Sequence, residues 1–183
     1  YEPFIGRQIQ SLTIGVIGYG RLGNFFSNYC DNFGAKVIVY DPYKSVNHPR
    51  IKQVQRIEEI AKHSDVISLH VHVTEETEKF INNKFLNKCK ESILIVNTSR
   101  GEIVNEVDLN NFLSRNKSAK YATDVLSGEI NGIYNNPIKK YFEENPNQVI
   151  ITPHIGGMTK EAQNIAFGHA ANLLKEALLN ENL

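Results

Sequence analysis

The sequence predicts an α/β fold, a doubly wound parallel sheet with helices on both faces in a three-layer αβα arrangement. Short apolar runs that are typical of buried strands alternate along the chain with segments of helical periodicity. The first apolar run, residues 13–17, passes through closely spaced glycines into a helix pattern. The most apolar run, residues 92–97, lacks polar alternation, which is typical of a central strand covered on both faces. Strands that alternate with helices in this way favour parallel pairing within one sheet.

The glycine turn after the first strand has the spacing of a nucleotide-binding fingerprint. After residues 1–11, which show no clear periodicity, Gly18, Gly20 and Gly23 fit the pattern G-x-G-x-x-G. The first glycine allows the tight turn, the second leaves room for a pyrophosphate, and the third lets the helix pack on the strand. Arg21 and Leu22 open that helix, whose free N–H groups and positive dipole end point at the anion. The alternative is a glycine turn with a structural role only.

The second strand, at residues 36–40, ends on an acidic residue in the position expected of a ribose ligand. Asp41 lies 18 residues after Gly23, about where a carboxylate binds the adenosine ribose hydroxyls of the cofactor in a Rossmann-type fold. A carboxylate there hydrogen-bonds the ribose diol and repels a 2′-phosphate, so the sequence predicts NAD rather than NADP. The alternative is a solvated turn carboxylate, because Asp before a proline such as Pro42 commonly opens turns.

The remaining elements follow the same alternation of helix and strand. Residues 44–55, which are polar, are expected to be irregular, and residues 128–147, which are rich in Asn, Gly and Pro, are expected to be mostly loop. Further strands are predicted at 65–70, 92–97, 120–123 and 148–151. Helices are predicted at 57–61, 83–90, 104–113 and 160–180.

The composition describes one soluble globular domain over residues 1–183, which we expect in the cytoplasm. Of its 183 residues 41% are hydrophobic, and 20 basic side chains balance 20 acidic ones. With no net charge, the sequence favours neither nucleic acid nor a membrane as a partner, and no apolar run reaches membrane-spanning length. Cys30 and Cys89 lack metal-ligand spacing and are expected to be reduced packing thiols. No metal site is expected, and solvated or packing roles are predicted for five histidines: His48, His63, His70, His72 and His169.

Polar side chains that could carry chemistry follow several strands at their carboxyl ends, the edge at which doubly wound sheets bind ligands. Arg100 follows the central strand and could hold a substrate carboxylate through two parallel hydrogen bonds. His154 follows the last strand and could move a proton to or from a hydroxyl or carbonyl oxygen near neutral pH. With a cofactor that carries hydride, these groups match the oxidation of a 2-hydroxy acid. By spacing alone, Arg100 could equally be a surface arginine.

Three segments resemble signatures of the D-isomer-specific 2-hydroxyacid dehydrogenases. Residues 97–106, NTSRGEIVNE, resemble the arginine signature of that family, and residues 152–159, TPHIGGMT, resemble its histidine signature. Residues 124–129, DVLSGE, are similar to the segment in which the family keeps an Asp and, five residues later, the catalytic Glu. Residues 41–43, DPY, are similar to the phosphoglycerate-dehydrogenase-like branch.

The resemblance implies a role for each matching residue. Arg100 would bind the substrate carboxylate, His154 would be the acid–base residue, and Glu129, otherwise a loop carboxylate, would be its partner. Asp124 would lie near the nicotinamide, and Val71 would contact the cofactor through its backbone. Further cofactor contacts are implied for Thr98, Ser99, Gly156 and Gly157. The implied cofactor is NAD, and the implied substrates are a small 2-hydroxy acid and its 2-oxo acid. A homodimer is implied because relatives dimerise through this domain.

The sequence also departs from the family pattern. Ile130 follows Glu129 where relatives usually have proline, and His72 stands where they usually have another. In the family the dinucleotide domain is inserted in a separate substrate domain, and this chain resembles the dinucleotide domain alone. We therefore expect the flanking substrate domain to be absent and the isolated chain to be inactive. Two alternatives stay open: a nicotinamide-sensing interaction protein similar to the C-terminal-binding-protein corepressors, and a cofactor-binding fragment without turnover.

Overall fold

Seven parallel strands form the central sheet of the computed structural model, which describes residues 5–129, 132 and 135–180. Their bounds are β1 Thr13–Ile17, β2 Lys36–Tyr40, β3 Lys52–Gln53, β4 Val66–Leu69, β5 Leu94–Asn97, β6 Lys120–Thr123 and β7 Val149–Ile151. The order across the sheet is β3-β2-β1-β4-β5-β6-β7, with parallel pairing throughout. The chain therefore changes direction across the sheet at β1 and β4, and such switch points are where doubly wound folds bind ligands.

Helices connect the strands, as the sequence pattern predicts. In the described part of the chain they are α1 Arg21–Asn32, α2 Ile57–His63, α3 Asn83–Leu86, α4 Glu106–Arg115, α5 Pro137–Glu144 and α6 Lys160–Asn180. A short 3-10 helix, Gly101–Ile103, precedes α4. None of these helices is both long and apolar enough to cross a membrane. The chain divides into two compact units, of which the first ends at Thr152 and the second, from Pro153, contains α6.

Apolar side chains cover both faces of the sheet in two separate clusters. On one face Ile67 and Ile95 belong to a cluster that also includes side chains of α2, α3, α4 and α5. On the other face Val16 and Val39 pack with Cys30 of α1. Successive strand side chains point to opposite faces, so both clusters draw on the same strands. The α/β, three-layer, doubly wound fold class is thereby confirmed.

Two of the predictions made for the sheet need correction. Residues 44–55 are not wholly irregular, because Lys52 and Gln53 form β3 at the edge of the sheet beside β2. A two-residue strand is too short to show an alternating pattern in the sequence. The strand predicted at 92–97 is shorter and is not covered fully on both faces. Ile95 is buried in β5, whereas Leu94 and Val96 on the opposite face are only half-buried, since α1 contacts β1 and β2 rather than β5.

The segment 128–147, predicted to be mostly loop, contains α5. Asn136 caps this helix, because its side-chain oxygen accepts the N–H groups of Ile138 and Lys139 at 2.9 and 3.1 Å. Pro137 occupies the first turn, where a missing N–H is tolerated. An N-cap asparagine followed by proline was therefore the local signal for this helix. Ile130, where the sequence departs from the family pattern, lies outside the described residues.

Candidate functional site

The glycine turn between β1 and α1 is held by close backbone contacts at its first and third glycines. Gly18 has a φ of +93°, and a Cβ there would lie 2.4 Å from the carbonyl oxygen of His70. A Cβ on Gly23 would lie 2.0 Å from the carbonyl oxygen of Gly18. Gly20 differs, because a Cβ there would meet no atom within 4 Å. The space above Gly20 is therefore open for a ligand, whereas the other two glycines are required by the fold itself.

The first turn of α1 faces that space with its backbone N–H groups. α1 begins at Arg21 with Gly20 as its N-cap, and no described side chain caps it. The N–H groups of Arg21, Leu22 and Gly23 belong to the first turn, which has no intrahelical acceptors. Uncapped N–H groups at a helix N-terminus favour an anion such as a pyrophosphate.

Asp41 joins the loop after β2 to the glycine turn. One of its carboxylate oxygens accepts the Tyr19 N–H at 2.6 Å, and the other accepts the N–H groups of Tyr43 and Lys44 at 2.8 and 2.9 Å. The side chain of Gln53, in β3, holds the same loop by donating to the carbonyl oxygens of Asp41 and Lys44 at 3.0 and 2.8 Å. Asp41 is thus half-buried and hydrogen-bonded, and its bonds to Tyr43 and Lys44 are those of an aspartate that opens a turn.

A cavity of about 830 Å³ lies beside the glycine turn. Its lining brings together four of the predicted cofactor residues: Gly18, Gly20, Asp41 and Val71. The hydroxyl of Tyr43 donates to the Glu76 carboxylate at 2.6 Å and bridges the loops after β2 and β4 at its rim. That bond and the charge of Glu76 raise the pKa of the Tyr43 hydroxyl.

His70 lines the cavity but is a packing residue. Its Nε2 lies 2.9 Å from the Ser68 hydroxyl, and its ring centroid lies 5.2 Å from that of Phe26. Burial lowers the pKa of His70 to about 4, so the imidazole is neutral near pH 7. Of the other histidines, His48 accepts the N–H groups of Arg50 and Ile51 at 3.3 and 3.2 Å. No three His, Cys, Asp or Glu side chains converge as metal ligands would within residues 5–129, 132 and 135–180.

A buried asparagine shapes the backbone around Arg100. The side chain of Asn97 donates to the carbonyl oxygen of Arg100 at 2.9 Å and accepts the Ser99 N–H at 3.0 Å. The Ser99 hydroxyl donates to the carbonyl oxygen of Leu69 at 2.7 Å, which ties the end of β5 to the end of β4. Arg100 and Thr98 are exposed beside it. The sequence placed Asn97 in a signature without assigning it this role, which depends on contacts between two strands.

The loop after β6 carries two more of the predicted residues. Asp124 is buried, donates its N–H to the carbonyl oxygen of Asn97 at 3.0 Å, and accepts a hydrogen bond from the Thr152 hydroxyl. Glu129 accepts the Leu126 N–H at 2.5 Å, within the same loop. Asp124 therefore lies next to Asn97 at the ends of β6 and β5, and the backbone of its own loop binds the Glu129 carboxylate.

Glu106 is a residue of this region that sequence reasoning missed. It is 6% exposed, and its carboxylate accepts the Ser127 N–H at 2.9 Å and a side-chain N–H of Asn136 at 2.5 Å. Burial raises the pKa of Glu106, the two donors lower it, and the Glu102 and Glu129 carboxylates raise it, so that the pKa is about 7. Glu106 ends the segment 97–106 that resembles the arginine signature, but its role depends on contacts with residues 127 and 136, so the sequence assigned it none.

The remaining predicted residues, His154, Gly156 and Gly157, belong to the second unit. His154 has a φ of +54°, in the left-handed region that residues other than glycine rarely adopt. A Cβ on Gly157 would meet no atom within 4 Å. Such backbone conformations recur at functional sites, and the joint placement of His154 with Arg100 and Glu129 stays a prediction.

Comparisons with known proteins agree with the motifs. The family model for "D-isomer specific 2-hydroxyacid dehydrogenase, NAD binding domain" matches residues 1–156. The chain is 35% identical over 175 residues to D-lactate dehydrogenase of Lactobacillus delbrueckii subsp. bulgaricus, covering 88% of this chain and 51% of that protein. It is 34% identical over 177 residues to hydroxypyruvate reductase of Blautia hydrogenotrophica, covering 93% and 52%.

A solved structure shows the same likeness. D-lactate dehydrogenase of Aquifex aeolicus, complexed with NAD and lactic acid, matches with a TM-score of 0.87 and 30% identity. The match covers 97% of this chain and 56% of that one. The chain therefore spans about half the length of the relatives that it matches.

Proposed function

The chain belongs to the D-isomer specific 2-hydroxyacid dehydrogenase family, and on that premise we propose that it is the NAD-binding part of an enzyme that interconverts a D-2-hydroxy acid and its 2-oxo acid. The main support is the glycine turn, which leaves space for a ligand at Gly20 alone, beside a cavity whose rim carries Asp41. The relatives reported above are dehydrogenases and a reductase, so the corepressor-like alternative gains no support.

The first unit has groups that fit the pyrophosphate and the adenosine ribose of a dinucleotide. The pyrophosphate would lie over Gly20 against the first-turn N–H groups of α1. A carboxylate offers about four acceptor positions, and three of those on Asp41 are used by backbone N–H groups. One position remains for a ribose hydroxyl, and the negative charge would repel a 2′-phosphate. We infer that the cofactor is NAD rather than NADP.

The residues of the three signatures supply the rest of the proposed chemistry. Arg100 would bind the substrate carboxylate in a bidentate manner and orient the carbon that carries the hydroxyl. His154 would take the hydroxyl proton during oxidation and return it to the carbonyl oxygen during reduction. Glu129 would hold the imidazole tautomer and stabilise the imidazolium, as a carboxylate partner does in other acid–base pairs. When bound, NAD would accept the hydride during oxidation, and NADH would supply it during reduction.

Further proposals concern the domain, its assembly and its location. We infer that residues 1–183 act as one dinucleotide-binding domain and that a substrate-binding part corresponds to the other half of the relatives' length. A homodimer is supported by α1 and its C-cap residue Phe33, which expose large apolar side chains along one face: Leu22, Phe25, Tyr29 and Phe33. A cytoplasmic location is supported by Cys30 and Cys89, which are both free thiols.

Turnover by the full-length gene product tests the proposed function. We expect NADH-dependent reduction of at least one compound in a panel of small 2-oxo acids. His154→Ala should abolish that turnover and leave the Kd for NADH within about twofold, because an acid–base residue acts on the substrate oxygen. His169→Ala, on α6, is the matched control and should retain wild-type turnover. Equal loss of turnover and NADH binding in His154→Ala would indicate a structural histidine.

A further inference from the structure

A buried carboxylate outside the predicted catalytic set contacts the loop that carries Glu129. Glu106 is the first residue of α4, and its two carboxylate oxygens bind different partners. One accepts the backbone N–H of Ser127 at 2.9 Å, and the other accepts the side-chain N–H of Asn136 at 2.5 Å. A buried carboxylate is costly unless its oxygens are hydrogen-bonded. Moving either donor away would leave a buried carboxylate oxygen without a hydrogen bond, so Glu106 restrains both the Ser127 backbone and the Asn136 side chain.

Asn136 extends this support from the loop to the next helix. Its amide N–H groups reach Glu106 and, at 3.3 Å, the carbonyl oxygen of Ser127. Its side-chain oxygen caps α5 at the same time. Ser127 is thus bound at both its N–H and its carbonyl oxygen by one connected pair of side chains. Such a network restricts the backbone more than either bond alone.

The same loop rests directly on the segment of Arg100. A Cβ on Gly101 would lie 2.0 Å from the carbonyl carbon of Leu126, so the two backbones are in contact. Glu102, which lies in the 3-10 helix after Arg100, accepts the N–H of Gly128 at 3.3 Å. Within the loop, the Glu129 carboxylate accepts the Leu126 N–H at 2.5 Å. The Leu126 backbone is therefore one of the contacts that hold the Glu129 carboxylate.

We propose that Glu106 is a positioning residue that holds residues 126–129 in the conformation in which Glu129 supports the acid–base histidine. This role rests on the function proposed above. Glu106 contacts neither substrate nor cofactor in this scheme and acts only through Glu129. Its removal should lower kcat and leave the substrate KM and the NADH Kd nearly unchanged, because Asn97 still binds the carbonyl oxygen of Arg100 and the glycine turn is held by its own contact with His70.

The test compares variants of the full-length gene product with NADH and a 2-oxo acid that the wild type reduces. Glu106→Ala should lower kcat about 10- to 100-fold, with KM and the NADH Kd within about twofold. Glu106→Gln keeps an acceptor for Ser127 but faces Asn136 with a second donor, so its loss should be smaller, about 3- to 10-fold. The Gln variant also serves if Glu106→Ala does not fold.

Asp108→Asn is the matched control, because Asp108 lies in the same helical turn but accepts the Asn83 N–H at 2.9 Å. It should keep wild-type kcat.

Two further measurements separate positioning from general damage. Residues that act as a unit are not additive, so Glu106→Ala in a Glu129→Gln background should change kcat by less than about twofold. Amide hydrogen exchange at Ser127 and Gly128 should be faster in Glu106→Ala than in the wild type or Asp108→Asn. If Glu106→Ala lowers kcat equally in the two backgrounds, or leaves hydrogen exchange at Ser127 and Gly128 unchanged, the positioning role of Glu106 is overturned and the proposed function is not. Wild-type protein that reduces no 2-oxo acid would instead overturn the proposed function, and with it the catalytic part of this proposal.

Discussion

Replacing Gly20 with alanine should separate cofactor binding from folding. A Cβ at this position meets no atom within 4 Å, and the backbone angles of Gly20, φ −67° and ψ −167°, suit alanine. Alanine is a weaker N-cap than glycine. It also lowers the conformational entropy of the unfolded chain, which stabilises the folded state by about 0.4–1 kcal/mol. Since these effects oppose each other, the free energy of unfolding should change by less than about 1 kcal/mol.

The binding of NADH should respond very differently. The added methyl group would occupy the space that we assign to the pyrophosphate. Forcing an extra methyl group into a packed contact costs about 1–3 kcal/mol, and each 1.4 kcal/mol is a factor of about ten in Kd. Gly20→Ala should therefore weaken NADH binding about 5- to 150-fold. Calorimetric titration with NADH and thermal unfolding of the same preparations measure both effects.

Gly23→Ala and Gly168→Ala complete the comparison. A Cβ on Gly23 lies 2.0 Å from the Gly18 carbonyl oxygen, so α1 must shift and the free energy of unfolding should fall by about 1–3 kcal/mol. A Cβ on Gly168, within α6, meets nothing within 4 Å and should affect neither property adversely. Wild-type NADH affinity in Gly20→Ala would refute the assignment of the phosphate site. Wild-type stability in Gly23→Ala would refute the packing argument.

Two other predictions follow from single carboxylates. Asp41→Ala should lower the preference for NADH over NADPH by about tenfold, because a charged hydrogen-bond acceptor for the ribose is lost; an unchanged ratio of the two Kd values in calorimetry would contradict the role of Asp41. Although burial alone raises the pKa of Asp65, the Thr13 N–H and the Arg7 and Lys90 side chains hold it at about 2. Because that value lies below the unfolded value of 3.8, the carboxylate stabilises the fold above about pH 4, by about 1–2 kcal/mol after solvent screening. The stability difference between wild type and Asp65→Asn in urea unfolding should therefore shrink as the pH falls from about 4 through about 2. A difference that is as large at about pH 2 as at about pH 5 would exclude this linkage.

Short sequence patterns were sufficient to predict features that depend on residues close together in the chain. The need for glycine at position 23 arises within one strand–helix unit, because a Cβ there would meet the carbonyl oxygen of Gly18. Gly18 also packs against His70, after β4, but the spacing of the glycines is visible in the sequence. Asp41 was equally predictable, since a strand that ends on a carboxylate is visible in the sequence. Thr98 and Ser99 were assigned from a signature of adjacent residues, and their contact with a cofactor stays a prediction. In each case the required chemistry lies in a short segment with a defined spacing.

The sequence by itself determined the fold class, the glycine turn and the family of the chain, because burial periodicity and short motifs are properties of neighbouring residues. Only the tertiary structure decided the pairing of β3 with β2 and the incomplete cover of β5, which depend on where distant segments pack. The role of Glu106 was decided in the same way. Its partner Ser127 lies 21 residues away in the chain and Asn136 lies 30 away. A carboxylate becomes a loop support only when folding removes water from it and leaves these donors as its partners.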